Sequence, residues 1–163
     1  MLRHVRELGE NELDPTLQFL PTLEADGESL ATLRVEAMRE SLERIGRFDP
    51  SNARRRFLAN FNPTRTIKVC VGDQCVGFYA LRDEQTYFYV DHLYVRPGHQ
   101  GQGIGAAVLQ RLFSMADERN IEIRLGALKQ SDSNRFYVRH GFLMADEGEF
   151  DNYYVRQALP NRN

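Results

Sequence analysis

The sequence has few cysteines, no long apolar run and no excess of positive charge. Two cysteines among 163 residues are too few for the disulfide framework of a small secreted scaffold. No uninterrupted apolar run exceeds four residues, whereas a membrane-spanning helix needs about 20, so no membrane partner is expected. The net charge of −2 provides no overall field that would attract nucleic acid. Residues 1–10 lack the apolar core of a signal peptide, and we therefore expect a cytoplasmic protein.

The composition that is present is typical of one globular domain. With 42% hydrophobic and 27% charged residues, the chain is close to ordinary soluble proteins and unlike a disordered one. Its length suits a single domain, and no linker or internal repeat divides it. We expect one domain over residues 1–163, with residues 1–16, which show no clear apolar period, as an N-terminal extension.

Apolar periodicity predicts seven strands and four helices. Asp49-Pro50 marks the start of the second helix, because an acidic N-cap followed by proline is typical of a helix N-terminus. Gly72-Asp73 suits a two-residue hairpin whose register would pair Cys70 with Cys75. The order β-α-α-β-β-β-α-β-α-β-β predicts a mixed α/β sheet with helices on its faces. The strands are expected at residues 17–20, 66–71, 75–81, 87–95, 121–128, 142–145 and 152–157, and the helices from residue 29 and at residues 50–61, 104–119 and 132–140.

A glycine-rich loop between the strand at residues 87–95 and the helix at residues 104–119 carries the clearest chemical signal. Gly101, Gly103 and Gly105 leave backbone N–H groups unshielded at the first helical turn, where free N–H groups and the helix dipole favour a pyrophosphate. The loop lacks the Gly-Lys-Ser/Thr ending of a Walker A motif, and Ala106 stands where the dinucleotide fingerprint needs its third glycine. A simple turn would need fewer glycines, so the spacing predicts a phosphate-binding loop of another type.

Two motifs in this region carry a resemblance to a known family. Gln100-x-x-Gly103-x-Gly105 resembles the Q/R-x-x-G-x-G/A signature of the GNAT superfamily of N-acetyltransferases, which bind acetyl-CoA. The preceding Leu93-Tyr94-Val95-x-Pro97 is similar to the strand that leads into that loop. Residues 134–142 resemble the family's F-Y-x-x-x-G-F block. The motifs occur in the family's order, with a strand between them.

The resemblance implies a fold and a cofactor site. The fold is a GNAT-like splayed mixed sheet of about six to seven strands with helices on both faces, open between its fourth and fifth strands. The co-substrate is acetyl-CoA, and the scattered histidines suggest no metal site. Gln130 stands where many members carry Asn, which leaves its contact with the pantetheine arm open. The implied cofactor-binding residues are the backbone of Leu93 and Val95, the loop residues Gln100, Gly101, Gln102, Gly103, Ile104, Gly105 and Ala106, and the side chains of Gln130 and Asn134.

The implied reaction is direct transfer of the acetyl group to a primary amine of a small molecule or a peptide. Tyr137 stands at the family position for the acid that protonates the leaving thiolate, and a backbone N–H near Leu93 would stabilise the oxyanion. The base that takes the amine proton is left open among Glu36, Asp91, His92 and bulk water. Strand alternation is expected to place Asp91 and His92 on opposite faces of the sheet.

Several other features have ordinary structural interpretations. Residues 54–56, three consecutive arginines, are predicted to form a solvated helix face, with a role toward an acidic acceptor or the cofactor 3′-phosphate as the alternative. Cys70 and Cys75 are interpreted as reduced strand residues rather than as a redox pair. Tyr153 and Tyr154 are candidates for the edge of the acceptor pocket. An acyl-CoA-binding sensor without turnover is the alternative function, and assembly as a homodimer through the last strands is left open.

Overall fold

Seven strands and four α-helices follow one another along residues 17–160, the part of the chain that the computed structural model describes. The strands are β1 (Leu17–Pro21), β2 (Thr66–Val71), β3 (Gln74–Asp83), β4 (Tyr87–Val95), β5 (Glu122–Leu128), β6 (Leu143–Glu147) and β7 (Asp151–Arg156). The helices are α1 (Gly27–Arg44), α2 (Pro50–Asn60), α3 (Ile104–Arg119) and α4 (Ser133–Arg139). The predicted element order is confirmed, and the expected extension at residues 1–16 lies outside the described residues.

Local signals set the ends of these elements. The Asp49 carboxylate accepts a hydrogen bond from the Asn52 N–H at 3.1 Å, with Pro50 at the first helical position of α2. Gly72 has a φ of +59°, which glycine adopts without strain, and it opens the two-residue turn between β2 and β3. The predicted pairing of Cys70 with Cys75 across this hairpin is confirmed.

All seven strands form one mixed sheet in the order β1-β2-β3-β4-β5-β7-β6. The pairing of β4 with β5 is parallel, and the other pairings are antiparallel. The sheet is covered on both faces. One core lies against α3 and includes Leu109 and Leu112, while in the other core Phe57 of α2 packs edge-on against Phe78 of β3 at 5.5 Å between ring centroids. None of the helices within residues 17–160 is both long enough and apolar enough to cross a membrane.

A β-bulge in β4 opens the middle of the sheet. Leu81 of β3 pairs with Val90, and Ala80 pairs with His92, so Asp91 is an extra residue in β4. Parallel pairing with β5 stops at the same place, since Val90 is the last residue of β4 that has a partner there. A bulge bends its strand, and β4 and β5 therefore separate beyond this point, as the splayed sheet requires.

Candidate active site

A cavity of about 570 Å³ lies in the opening between β4 and β5. Its walls come from distant parts of the chain, which the sheet topology brings together. They include the inner side of α1, the bulged half of β4, the glycine-rich loop, the first turn of α3, the end of β5 and helix α4. The predicted residues in the wall are Asp91, His92, Leu93, Val95, Gln100, Gly101, Gly103, Ile104, Gly105, Ala106 and Tyr137.

Each of the three glycines in the loop has its own structural reason. Gly101 and Gly103 adopt φ values of +79° and +83°, a left-handed conformation that strains other residues. Gly105 is helical, but a Cβ built on it would lie 3.0 Å from the Phe136 ring of α4. The loop is therefore bare because its backbone conformation and its packing both exclude side chains.

The first turn of α3 presents free hydrogen-bond donors to the cavity. The helix begins after Gly103, and the Ala107 N–H donates to the Gly103 carbonyl oxygen at 3.0 Å. The N–H groups of Ile104, Gly105 and Ala106 precede this bond and have no partner within the helix. Together with the positive end of the helix dipole, they form a local site for an anion in a protein whose net charge is negative.

The bulged half of β4 turns backbone polar groups toward the opening. The Arg96 N–H donates to the Val76 carbonyl oxygen of β3 at 2.7 Å. Because the direction of bonding alternates along an antiparallel strand, the backbone groups of Leu93 and Val95 point away from β3 and toward the cavity. The Gln100 side chain donates to the Val95 carbonyl oxygen at 3.0 Å, so this oxygen is not used in pairing with β3 and is bonded within the loop in this structure.

Tyr137 of α4 lies in the cavity wall and is 7% exposed. Its ring packs edge-on against Phe136 and Phe142, with centroid distances of 5.3 and 5.4 Å. Burial, and to a lesser degree Tyr94, raises the pKa of Tyr137 well above its ordinary value. The hydroxyl group therefore keeps its proton throughout the neutral range.

The expectation that Asp91 and His92 lie on opposite faces of the sheet is wrong. Val90 and Leu93 both pack against the core beneath α3, so the two residues between them turn toward the other face. The bulge is the reason, because it inserts one residue into β4 and breaks the alternation. The Asp91 carboxylate is held by Arg82, at 2.8 Å from Nε and 3.1 Å from Nη2.

His92 sits in an aromatic cluster at the edge of the cavity. Its ring centroid lies 5.3 Å from that of Phe57 and 5.7 Å from that of Tyr94. Burial is the largest influence on its pKa and Arg34 the second; together they lower it from 6.5 to about 4, against a small opposing effect of Asp91. Its buried Nδ1 has no hydrogen-bond partner among residues 17–160. The imidazole is therefore uncharged at neutral pH.

Four predicted site residues lie outside the cavity wall: Glu36, Gln102, Gln130 and Asn134. The exposed Glu36 carboxylate forms an ion pair with Arg96, at 3.2 Å from Nη1. Exposed Gln130 has a φ of +70°, and its carbonyl oxygen accepts a hydrogen bond from Arg44 at 2.7 Å. The geometry thus separates these side chains from the residues that the opening brings together.

The Asn134 side chain joins α4 to the neighbouring elements. Its amide nitrogen donates to the carbonyl oxygens of Leu128 and Ser131, both at 2.9 Å. Its amide oxygen accepts hydrogen bonds from Asn152 at 3.0 Å and from the Tyr154 hydroxyl at 2.8 Å. The whole amide is engaged within the protein, which indicates a structural role and explains why Tyr154 is buried.

Two further interpretations are clarified by the contacts. Arg54 donates to the Thr32 hydroxyl at 2.7 Å and pairs with Glu28, so this arginine connects α2 to α1 and lies away from the cavity. Tyr153 packs beside Gly126 of the cavity wall, where an added Cβ would lie 3.1 Å from the tyrosine ring. Residues 17–160 contain no group of three or more His, Cys, Asp or Glu side chains arranged to hold a metal ion.

Sequence reasoning missed how α1 closes the site. Ala37, Ser41 and Arg44 lie in the cavity wall, and their spacing of four and three residues marks one helix face, which could have been found from periodicity. Beyond α1, the Arg47 guanidinium stacks on the Phe150 ring at 3.8 Å. This contact connects the end of α1 to the turn between β6 and β7 across the open side of the sheet, and no local sequence signal predicts it.

The fold and the site together are those of an acyltransferase. The sequence profile of the family described as "Acetyltransferase (GNAT) domain" matches residues 32–156. The chain belongs to the GNAT acetyltransferase family. A search of curated protein sequences gave no match.

Solved structures share the fold at low sequence identity. The PaiA N-acetyltransferase from Thermoplasma acidophilum, solved with coenzyme A, matches with a TM-score of 0.72 at 16% identity, over 86% of this chain and 98% of that one. An acetyltransferase from Thermus thermophilus gives 0.68 at 21% identity, over 87% and 97%. The ribosomal-protein-S18-alanine N-acetyltransferase from Escherichia coli gives 0.63 at 16% identity, over 90% and 97%. At these identities the matches establish the fold.

Proposed function

We propose that the protein transfers the acetyl group of acetyl-CoA to a primary amine of a small molecule or a peptide. One observation carries the proposal. The bare loop at the N-terminus of α3 opens into the same cavity as the outward backbone groups of β4 and the Tyr137 ring. The wall of this one cavity therefore contains an anion site, an extended hydrogen-bonding edge and a protonated hydroxyl group.

The residues present fit acetyl-CoA. The N–H groups of Ile104, Gly105 and Ala106 would hold its pyrophosphate, and side chains at Gly101 or Gly103 would be strained in this loop. The outward backbone groups of Leu93 and Val95 would bind the pantetheine arm as an added strand binds a sheet edge. When bound, acetyl-CoA supplies an acetyl group that is activated as a thioester.

Two groups of the chain would assist the reaction at the sulfur end of the cavity. The Tyr137 hydroxyl, which is protonated at neutral pH as any tyrosine is, would donate its proton to the departing thiolate, although burial makes it a weaker acid. A backbone N–H near Leu93 would donate a hydrogen bond to the acetyl oxygen, on which negative charge develops. Both groups are held by regular secondary structure, so their orientation does not depend on a mobile loop.

Among the three candidate bases, the contacts favour His92. Glu36 lies outside the wall and is paired with Arg96, and both Asp91 carboxylate oxygens are occupied by Arg82. His92 is uncharged at neutral pH and lies in the wall. Because its pKa is about 4, this imidazole is a weak base; it would accept a hydrogen bond that orients the amine, while water carries the proton away.

Binding and turnover are tested separately. Thermal denaturation with coenzyme A and with acetyl-CoA should show an increase in Tm with both, because a ligand that binds only the folded state stabilises it. No increase with either compound would refute the proposal. Thiol release from acetyl-CoA is then measured over a panel of primary amines, and binding without release for any amine would favour the sensor alternative.

The variant Tyr137→Phe tests the acid. We expect kcat to fall by about 100-fold, the lower end of general acid–base contributions, with little change in affinity for acetyl-CoA. The matched control is Tyr79→Phe. It removes a hydroxyl group that lies away from the cavity and accepts a hydrogen bond from Arg111 Nε at 3.1 Å. Equal kcat values for the two variants would remove Tyr137 from this role.

A homodimer through the last strands stays a prediction. The edge strand β6 is exposed along its whole length, with Leu143 72% and Met144 54% exposed. Light scattering coupled to gel filtration measures the assembly directly. A cytoplasmic location likewise stays a prediction.

A further inference from the structure

The only two cysteines of the chain face each other across the β2–β3 hairpin. Val71 and Gln74 flank the two-residue turn, and Cys70 pairs with Cys75 as the next pair. In a two-residue hairpin the pair beside the turn exchanges the closing hydrogen bonds, so the following pair is a non-hydrogen-bonded one. The register shifts by one residue directly after this pair, between Val69 and Cys70. Such pairs have Cα atoms about 4.5 Å apart, within the range of about 4.4–6.8 Å that a disulfide spans.

The surroundings of the two thiols differ, and this gives them different roles. Cys70 is 6% exposed, whereas Cys75 is only half-buried. The Cys75 thiol donates to the Gly77 carbonyl oxygen at 3.4 Å. Burial, followed by the neighbouring Cys70, raises the pKa of the Cys75 thiol, so only a small fraction of it is thiolate at neutral pH and its attack on a disulfide is slow. Cys75 is nevertheless the accessible thiol, and Cys70 is positioned to resolve an adduct formed on it.

We infer that Cys70 and Cys75 form a reversible intramolecular disulfide, a modification site distinct from the acetyl-transfer cavity. The oxidant is a low-molecular-weight disulfide such as glutathione disulfide. The Cys75 thiolate attacks one sulfur of this compound, and one glutathione thiolate leaves. The Cys70 thiolate then attacks the Cys75 sulfur of the mixed disulfide, and the second glutathione thiolate leaves. Two protons pass to solvent, so one dithiol is oxidised and one disulfide is reduced.

The hairpin is connected to the start of the phosphate loop. Arg96, which precedes that loop, donates from its N–H to the Val76 carbonyl oxygen and from Nε to the Cys75 carbonyl oxygen at 3.3 Å. Oxidation would therefore restrain a segment that supports Arg96. The inference itself does not depend on acetyl transfer, because it concerns the thiol count and the mass of the chain.

The experiment treats the full native chain with excess glutathione disulfide and records the thiol titre, the intact mass and the migration on a non-reducing gel. We expect the wild-type chain to lose both thiols and the mass of two hydrogen atoms, to stay monomeric on the gel, and to recover both thiols with dithiothreitol. Cys70→Ser should instead retain one glutathionyl group, because no resolving thiol is present. Cys70→Ala serves as a second variant if serine at this buried position prevents folding.

Three results would overturn the inference: two thiols that stay titratable, glutathionyl adducts that persist on the wild-type chain, or covalent dimers. A second measurement compares the oxidised fraction in glutathione redox buffers for the native chain and for the chain unfolded in urea. If the native register favours the bond, the native chain is the more oxidised at each buffer ratio. A lower oxidised fraction in the native chain would show that the fold opposes the disulfide.

Discussion

Buried His92 makes the stability of this protein depend on pH in a predictable window. Its pKa is lowered from 6.5 to about 4 in the folded chain, by burial among aromatic rings and by Arg34, with Asp91 opposing. Between these values the unfolded chain binds a proton at this residue and the folded chain does not. The contribution of His92 to the free energy of unfolding is therefore fully present above pH 6.5 and is lost as the pH falls toward 4. A difference of this size corresponds to about 3 kcal/mol.

The variant His92→Phe isolates this effect. It removes the titrating group but keeps an aromatic ring beside Phe57 and Tyr94. Urea unfolding is measured for both proteins at pH values from 4 to 7.5. Carboxylates titrate alike in the two proteins, so their effects cancel in the difference. The free energy of unfolding of the wild type minus that of the variant should therefore fall by about 3 kcal/mol as the pH is lowered from 7.5 to 4.

The informative quantity is the change of this free-energy difference with pH, and not its value at any one pH. Phenylalanine can change the packing energy by a constant amount, which shifts the difference equally at every pH. A difference that does not vary with pH would refute the explanation. An NMR titration of the His92 ring provides an independent check, and a midpoint near 6.5 would show that burial does not control this group.

Three other substitutions test the roles assigned to local contacts. Gly103→Ala places a side chain at a φ of +83°, which introduces strain of about 1 kcal/mol. Coenzyme A binding measured by calorimetry should weaken about fivefold. The control Gly98→Ala, which has open space at its Cβ, should leave the affinity unchanged. Asn134→Ala should lower the free energy of unfolding by about 2 kcal/mol without altering coenzyme A affinity, and the reverse pattern would return Asn134 to the cofactor site. Arg156, which is only 6% exposed, holds the Asp117 carboxylate at 2.7 and 3.1 Å. Arg156→Ala should therefore lower the free energy of unfolding by about 2 kcal/mol. A decrease of less than 0.5 kcal/mol in urea unfolding would contradict this role.

Features that depend on neighbouring residues could be predicted from the sequence. Asp49-Pro50 specified the start of α2, and Gly72-Asp73 specified the turn and hence the register that pairs the two cysteines. The glycine spacing at residues 101–105 specified a bare loop at a helix N-terminus. These predictions succeed because caps, turns and left-handed conformations are decided within a few residues.

The side chains that reach the cavity are selected by strand register and by packing between distant elements. The bulge at Asp91 arises from the pairing of β4 with β3, and it turned His92 to the face where Asp91 lies. Glu36 was a reasonable base from its position on α1, yet it pairs with Arg96, 60 residues away. Gly105 seemed part of a phosphate motif alone, but contact with Phe136 also requires it. Such outcomes depend on strand register and on packing between distant elements, which periodicity and spacing do not encode.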